Sequence, residues 1–168
     1  MADIKAAYAA SASVTATGLA SLATSSTLVA GYSLAEIDNT SNKYCDYEAA
    51  LKATAGTTPT ANTLGEWWVI PKKDDSSYHD TFDGTAKAVT VTSREMLAAY
   101  GFPLKTSAVP IATSNVGYEA HANVASACGK QIAPHKFQFF FVHNMVAALN
   151  ATGGNHVVTI KGEYATAT

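Results

Sequence analysis

Five histidines, an aspartate-rich stretch, two cysteines and a pair of adjacent tryptophans are the residues of this chain whose types could do chemistry. His79, His121, His135, His143 and His156 are scattered, with none of the H-x-H or H-E-x-x-H spacings that bring two imidazoles to one metal ion. Asp74, Asp75, Asp80 and Asp83, followed by Gly84, have the composition of a calcium loop but lack its alternating ligands and distal glutamate, so they read as a solvated polar loop. No metal and no other cofactor is expected. Cys45 and Cys128 match no zinc or redox spacing and are too few for a disulfide framework, and both are expected to be buried thiols. No G-x-S-x-G elbow presents a nucleophile, and no phosphate-binding glycine loop of either common type occurs. The chain is not expected to be an enzyme. Trp67 and Trp68 remain: an outward tryptophan is costly to leave in water and marks either a sugar-stacking platform or a subunit interface. The plainer reading puts one ring in the core and the other under a loop.

The elements that must position these residues belong to a chain of 168 residues, enough for one domain with its own core. Hydrophobic residues make up 48% and charged residues only 14%, against roughly 25% charged in ordinary soluble domains. Ala, Thr, Ser and Asn stand where Lys and Glu would keep copies apart, which implies a surface partly covered by neighbours. A net charge of −2 leaves no basic footprint for nucleic acid. The opening MADIKAAYAASASV has no continuous apolar stretch, so it does not read as a signal peptide, and no run approaches the roughly 20 residues of a membrane helix. Synthesis in the cytoplasm is the expectation.

Short β segments are expected over 12–22, 27–34, 42–54, 66–75, 86–93, 104–113, 116–125, 136–144 and 156–164, where Val, Ile, Thr and aromatic residues alternate with polar ones between turn signals. Pro71 cannot donate to a ladder and marks an edge or a strand end. Ser93 and Gly101 bracket a short helix, and 124–134 reads as a helical turn. Residues 55–65 and 74–85 are expected to project as loops. About eight or nine short strands with little helix predict an all-β sandwich or barrel. In 136-KFQFFFVHN-144, Phe137, Phe139 and Phe141 share one face and Phe140 and Val142 the other, so something must cover the second set. Gly153, Gly154 and Asn155 can take positive φ, and they are expected to return the chain between the two strongest strands.

Three stretches, 3-DIKAAYAASASVTATGLASLA-23, 37-IDNTSNKYCDYEAALKA-53 and 124-VASACGKQIAPHKFQFFFVHNMVAALNATGGNHVVTIKGEYATAT-168, together carry a resemblance. Asp3, Ile4, Lys5, Tyr8, Leu19, Asp38, Asn39, Asn42, Asp46, Asn144, Ala148, Leu149, Thr152, Gly154, Asn155 and His156 hold its motif positions. The pattern resembles the capsid decoration, or cement, proteins of tailed bacteriophages, while the middle from about 54 to 120 departs from it. The resemblance implies a jelly-roll-like β-sandwich on the outer capsid surface of a virion, commonly trimeric, with the major capsid protein as partner. On that reading residues 1–11 form an N-terminal contact segment and 12–168 a single β-sandwich domain. Ile4 and Tyr8 are the expected anchors, and Trp67 and Trp68 further capsid or subunit contacts. The alternative is a carbohydrate-binding β-sandwich of a phage tail or host-adhesion module, in which Trp67 or Trp68 stacks on sugar.

Overall fold

The structure, a computed structural model, describes residues 4–109 and 112–167. Its strands are β1 (Ile4–Tyr8), β2 (Ala12–Val14), β3 (Ala30–Ser33), β4 (Ile37–Asp38), β5 (Asp46–Thr54), β6 (Thr63–Pro71), β7 (Lys87–Thr90), β8 (Phe102–Val109), β9 (Gly117–Asn123), β10 (Lys136–His143) and β11 (Val157–Ala167). Two short helices, α1 (Arg94–Tyr100) and α2 (Val124–Ala127), complete the list of main elements.

The strands form two sheets. In the first the order is β1-β11-β5-β9, with β2 continuing the line of β1 along β11; in the second it is β7-β3-β10-β6-β8, with β4 also on β10. The pairings nest: β2 lies against β11, β3 against β10, β5 against β9 and β6 against β8, all antiparallel. Successive pairs fall in opposite sheets, so the chain is an antiparallel ribbon folded over itself, the jelly-roll form of the all-β sandwich. The expected fold class is therefore observed, with α2 as its helical turn.

Between the sheets lies the main core. β5 turns Tyr47, Ala49, Leu51 and Ala53 inward, β11 adds Val158 and Ile160, and β10 adds Phe137, Phe139 and Phe141. Outward residues of β5 and its neighbours are Glu48, Lys52, Glu119 and His121, the alternation expected of a sheet with one wet face. Along its central strands, β6 and β10, the second sheet is buried on both faces. Phe140 and Val142 of β10, with Trp68 and Ile70 of β6, form a second core closed by Leu97 and Tyr100 of α1 and by Tyr78 and Phe82 of the 74–85 loop. Gly31 marks how close β3 runs to β10, because a Cβ there would strike the Phe141 carbonyl and the Phe140 ring.

The aspartate-rich loop thus folds down as a cover and does not project. Gln138 explains how it is held: this buried side chain donates to Leu34 O at 2.8 Å and Thr85 O at 3.2 Å and accepts from the Gly84 N–H at 3.0 Å. Tyr78 OH donates to Glu36 at 2.9 Å, and Thr92 and Tyr100 donate to Asp80. A loop written in Asp, Ser and Thr can cross an apolar face because two aromatic residues point down while its polar groups are tied at both ends.

The 55–62 segment is also tied down, with Gly56 N donating to Ala148 O and Thr60 N to Met145 O. Three further expectations are corrected. Gly153–Asn155 is a short 3-10 turn, with none of its residues among those at positive φ, and β10 and β11 lie in different sheets, so the segment is a crossover and not a hairpin turn. Cys45 is exposed, while Cys128 is buried and its thiol is pushed up to about 11 by desolvation. Of residues 12–22 only Ala12–Val14 is strand, followed by a 3-10 turn at Thr17–Leu19.

Candidate interaction surface

The segment before residue 12 is expected to lack order unless something ties it down. β11 ties it. Ile4 pairs with Ala167, Ala6 with Ala165 and Tyr8 with Glu163, all antiparallel. On its other side β11 pairs with β5 only as far as Glu163. Residues 4–7 and 164–167 therefore run past the body as a two-stranded arm. Ile4 is 80% exposed, Tyr8 52% and Tyr164 39%.

Register places Ile4, Ala6 and Tyr8 on the outward face of the first sheet, where Lys161 sits over the Tyr8 ring at 4.8 Å. The Tyr44 ring packs against Gly162, where any Cβ would strike it, and lies 6.0 Å from the Tyr164 ring. A shallow hollow of about 280 Å³ runs beside the arm between Ile4, Cys45 and Tyr164. A larger one of about 520 Å³, also bordered by Cys45, lies between Tyr44, Ile132 and His135. This end of the molecule carries apolar side chains that the described residues leave uncovered.

Trp67 and Trp68 are placed differently from the contact expectation. Trp67 is 1% exposed and packs on Phe141 in the main core with ring centroids 4.6 Å apart; Trp68 is 5% exposed and lies in the second core. Cross-strand register explains the split, since Trp67 faces Phe141 and Trp68 faces Phe140 on opposite sides of one sheet. Neither indole offers a platform for sugar or for a neighbouring subunit. The reading with one ring in the core and the other under a loop is the one observed.

A site that sequence reading missed sits beside Trp68. Glu66 is buried; it accepts from the Arg94 Nη2 at 2.7 Å and from the Trp68 indole N–H at 3.1 Å, and the guanidinium lies 5.5 Å from the Trp68 ring centre. Arg94 opens α1, 28 residues away in sequence. The only local signal was an acidic residue at the head of an apolar strand. Its role is to anchor α1 over the second core.

Two histidines are structural. His143 is buried, accepts from Met145 N at Nδ1 at 3.4 Å, and has Nε2 3.1 Å from Leu22 O. A carbonyl only accepts, so Nε2 carries the proton and the ring is neutral. His156 repeats the pattern, accepting from Thr54 N at 3.2 Å and facing Asn150 O at 2.9 Å. Desolvation holds the His143 pKa below its ordinary value. Its share of stability is then whole above the unfolded value of about 6.5 and is lost as pH falls below that value toward the folded pKa. Urea midpoints at pH 7.5, 6.0 and 5.0 are expected to fall steadily, and a His143→Gln variant to show a flatter profile. Parallel profiles would show that the ring is not the group being titrated. Among the described residues no three His, Cys, Asp or Glu side chains converge as a metal site would require.

Comparison with known proteins adds no relative: no family model matches the chain, and no curated protein matches it.

Proposed function

We propose that this chain is a non-enzymatic structural protein of a tailed-bacteriophage virion, which binds the outer surface of the assembled capsid and stabilises the shell. The observation that carries the reading is the arm: Ile4 and Tyr8 stand exposed on a strand at one end of a rigid sandwich. The jelly-roll order of the strands agrees with what the resemblance implies. Burial of both tryptophans favours this reading over the carbohydrate-binding one, whose stacking platform they were.

The mechanism is mass action, since a protein that binds only the assembled shell stabilises that state. Burying Ile4 and Tyr8 against the major capsid protein is worth on the order of 1.5 to 3 kcal/mol each. That is modest for one copy, but it multiplies when three copies gather as a trimer on the shell.

Deleting residues 1–9 tests the assignment. It strips β1 from the arm and leaves the body intact, so the truncated protein is expected to unfold cooperatively as before and to leave purified shells undecorated. Unchanged occupancy on shells would place the contact elsewhere.

A further inference from the structure

We propose that the outer edge of β1 is a self-pairing edge: in the free chain it takes the β1 strand of a second copy, antiparallel across a two-fold axis at Ala6. Ala9 N donates to Gly162 O at 2.8 Å, one step beyond the Tyr8–Glu163 pair. Alternation along an antiparallel ladder then turns the N–H and C=O groups of Tyr8, Ala6 and Ile4 away from β11. Among the described residues they have no partner, and they form an edge of the kind that templates strand addition.

The other sheet edges are guarded. β8 carries Pro103 and a register shift between Trp67 and Trp68 on its partner, and it lies against β9, the far edge of the other sheet. β7 is only four residues long. β1 has no proline and no bulge, and four of its five residues are exposed. A two-stranded ribbon is marginal in water, whereas added strands stabilise it.

Self-complementarity selects the occupant. With Ala6 opposite Ala6 of the second copy, Ile4 falls opposite Tyr8 and Tyr8 opposite Ile4, and all three positions present outward hydrogen-bonding groups. The two most exposed apolar side chains of the arm then meet as an aromatic and β-branched cross-strand pair on one face. Lys5 falls opposite Ala7, so no like charges oppose each other. Because the arm runs past β5, the two bodies sit at opposite ends of the paired strands. This pairing concerns the free chain and does not rest on the capsid reading; on a shell the same edge is given over to the shell contact.

Proline at residue 6 is the discriminating substitution. The N–H it removes points away from β11, and an edge strand tolerates proline at such a position. Sedimentation velocity of the full-length protein up to high micromolar concentration is expected to show a monomer–dimer equilibrium, and Ala6→Pro a monomer throughout with unchanged unfolding. A wild-type chain that stays monomeric, or an assembly that Ala6→Pro leaves intact, overturns the proposal. Should Ala6→Pro fail to fold, cross-linking decides. In a Cys45→Ser background, Ala6→Cys is expected to form a 6–6 disulfide dimer under mild oxidation, since paired Cα atoms of about 5.5 Å suit a disulfide. Ala7→Cys is expected not to form one. Equal yields from the two variants refute the register.

Discussion

Truncating Phe140 to alanine is expected to lower the unfolding free energy by about 3–5 kcal/mol, a large part of the 5–15 kcal/mol that holds an ordinary domain. The ring is fully buried on the face of β10 turned away from the main core, in edge contact with Phe82 of the covering loop at 5.3 Å. Losing it leaves a cavity walled by Trp68, Val142, α1 and the loop, none of which can collapse far while Gln138 and Asp80 pin the loop in place. Urea unfolding followed by tryptophan fluorescence measures the loss. The comparison variant is Phe82→Ala, which removes the cover and spares the sheet. If a neighbouring copy covered this face instead of the chain's own loop, the cost of Phe140→Ala would vary with protein concentration. It is expected not to.

Arg94→Ala is expected to cost about 3 kcal/mol, the lower end for removing one partner of a buried ion pair, because the guanidinium is 39% exposed and partly screened. What remains is a buried Glu66 carboxylate whose one side-chain donor among the described residues is the Trp68 indole N–H. Adding Glu66→Gln to Arg94→Ala is expected to restore most of the loss, since the neutral amide still accepts from the indole without a charge to compensate. Equal instability of the single and double variants would show that Arg94 acts through its packing on Trp68 and not through charge.

Both predictions concern a face that the sequence announced but could not resolve. Alternation along 136–143 and at Trp67-Trp68 states that side chains go to two sides, because the strand period is 2. It does not state what waits on the far side. The cover comes from residues 74–85, where four aspartates and neighbouring serines and threonines conceal the two that matter, Tyr78 and Phe82. Strands β5, β10 and β11 were legible because each is long and apolar on at least one face. β1 was not, since IKAAY is too small and too short to demand a partner and becomes a strand only because β11 extends to meet it. Partner choice is non-local throughout. The Gly-Gly-Asn segment shows the same limit, for turn-forming residues permit a hairpin but cannot require the next strand to stay in the same sheet. Ile4 and Tyr8 stand out in a segment of small residues, and both are exposed, whereas the Glu66–Arg94 pair joins two elements that nothing in their local sequence connects.

The place of β11 also governs when the molecule can come into being. It is an interior strand, with β1 and β2 along one side and β5 along the other, yet it is made of residues near the end of the chain. Until those residues leave the ribosome, β1 and β2 have nothing to pair with and the first sheet consists of β5 and β9 alone. Nested pairing of this kind gives a high contact order, and ordering β1 and β2 against β11 must await closure of a loop that contains every other strand. The first sheet therefore cannot close before β11 has been made, and it closes as a unit. A chain that stops short of residue 157 leaves an apolar half-sandwich and a bare edge on β5, the state from which such proteins aggregate.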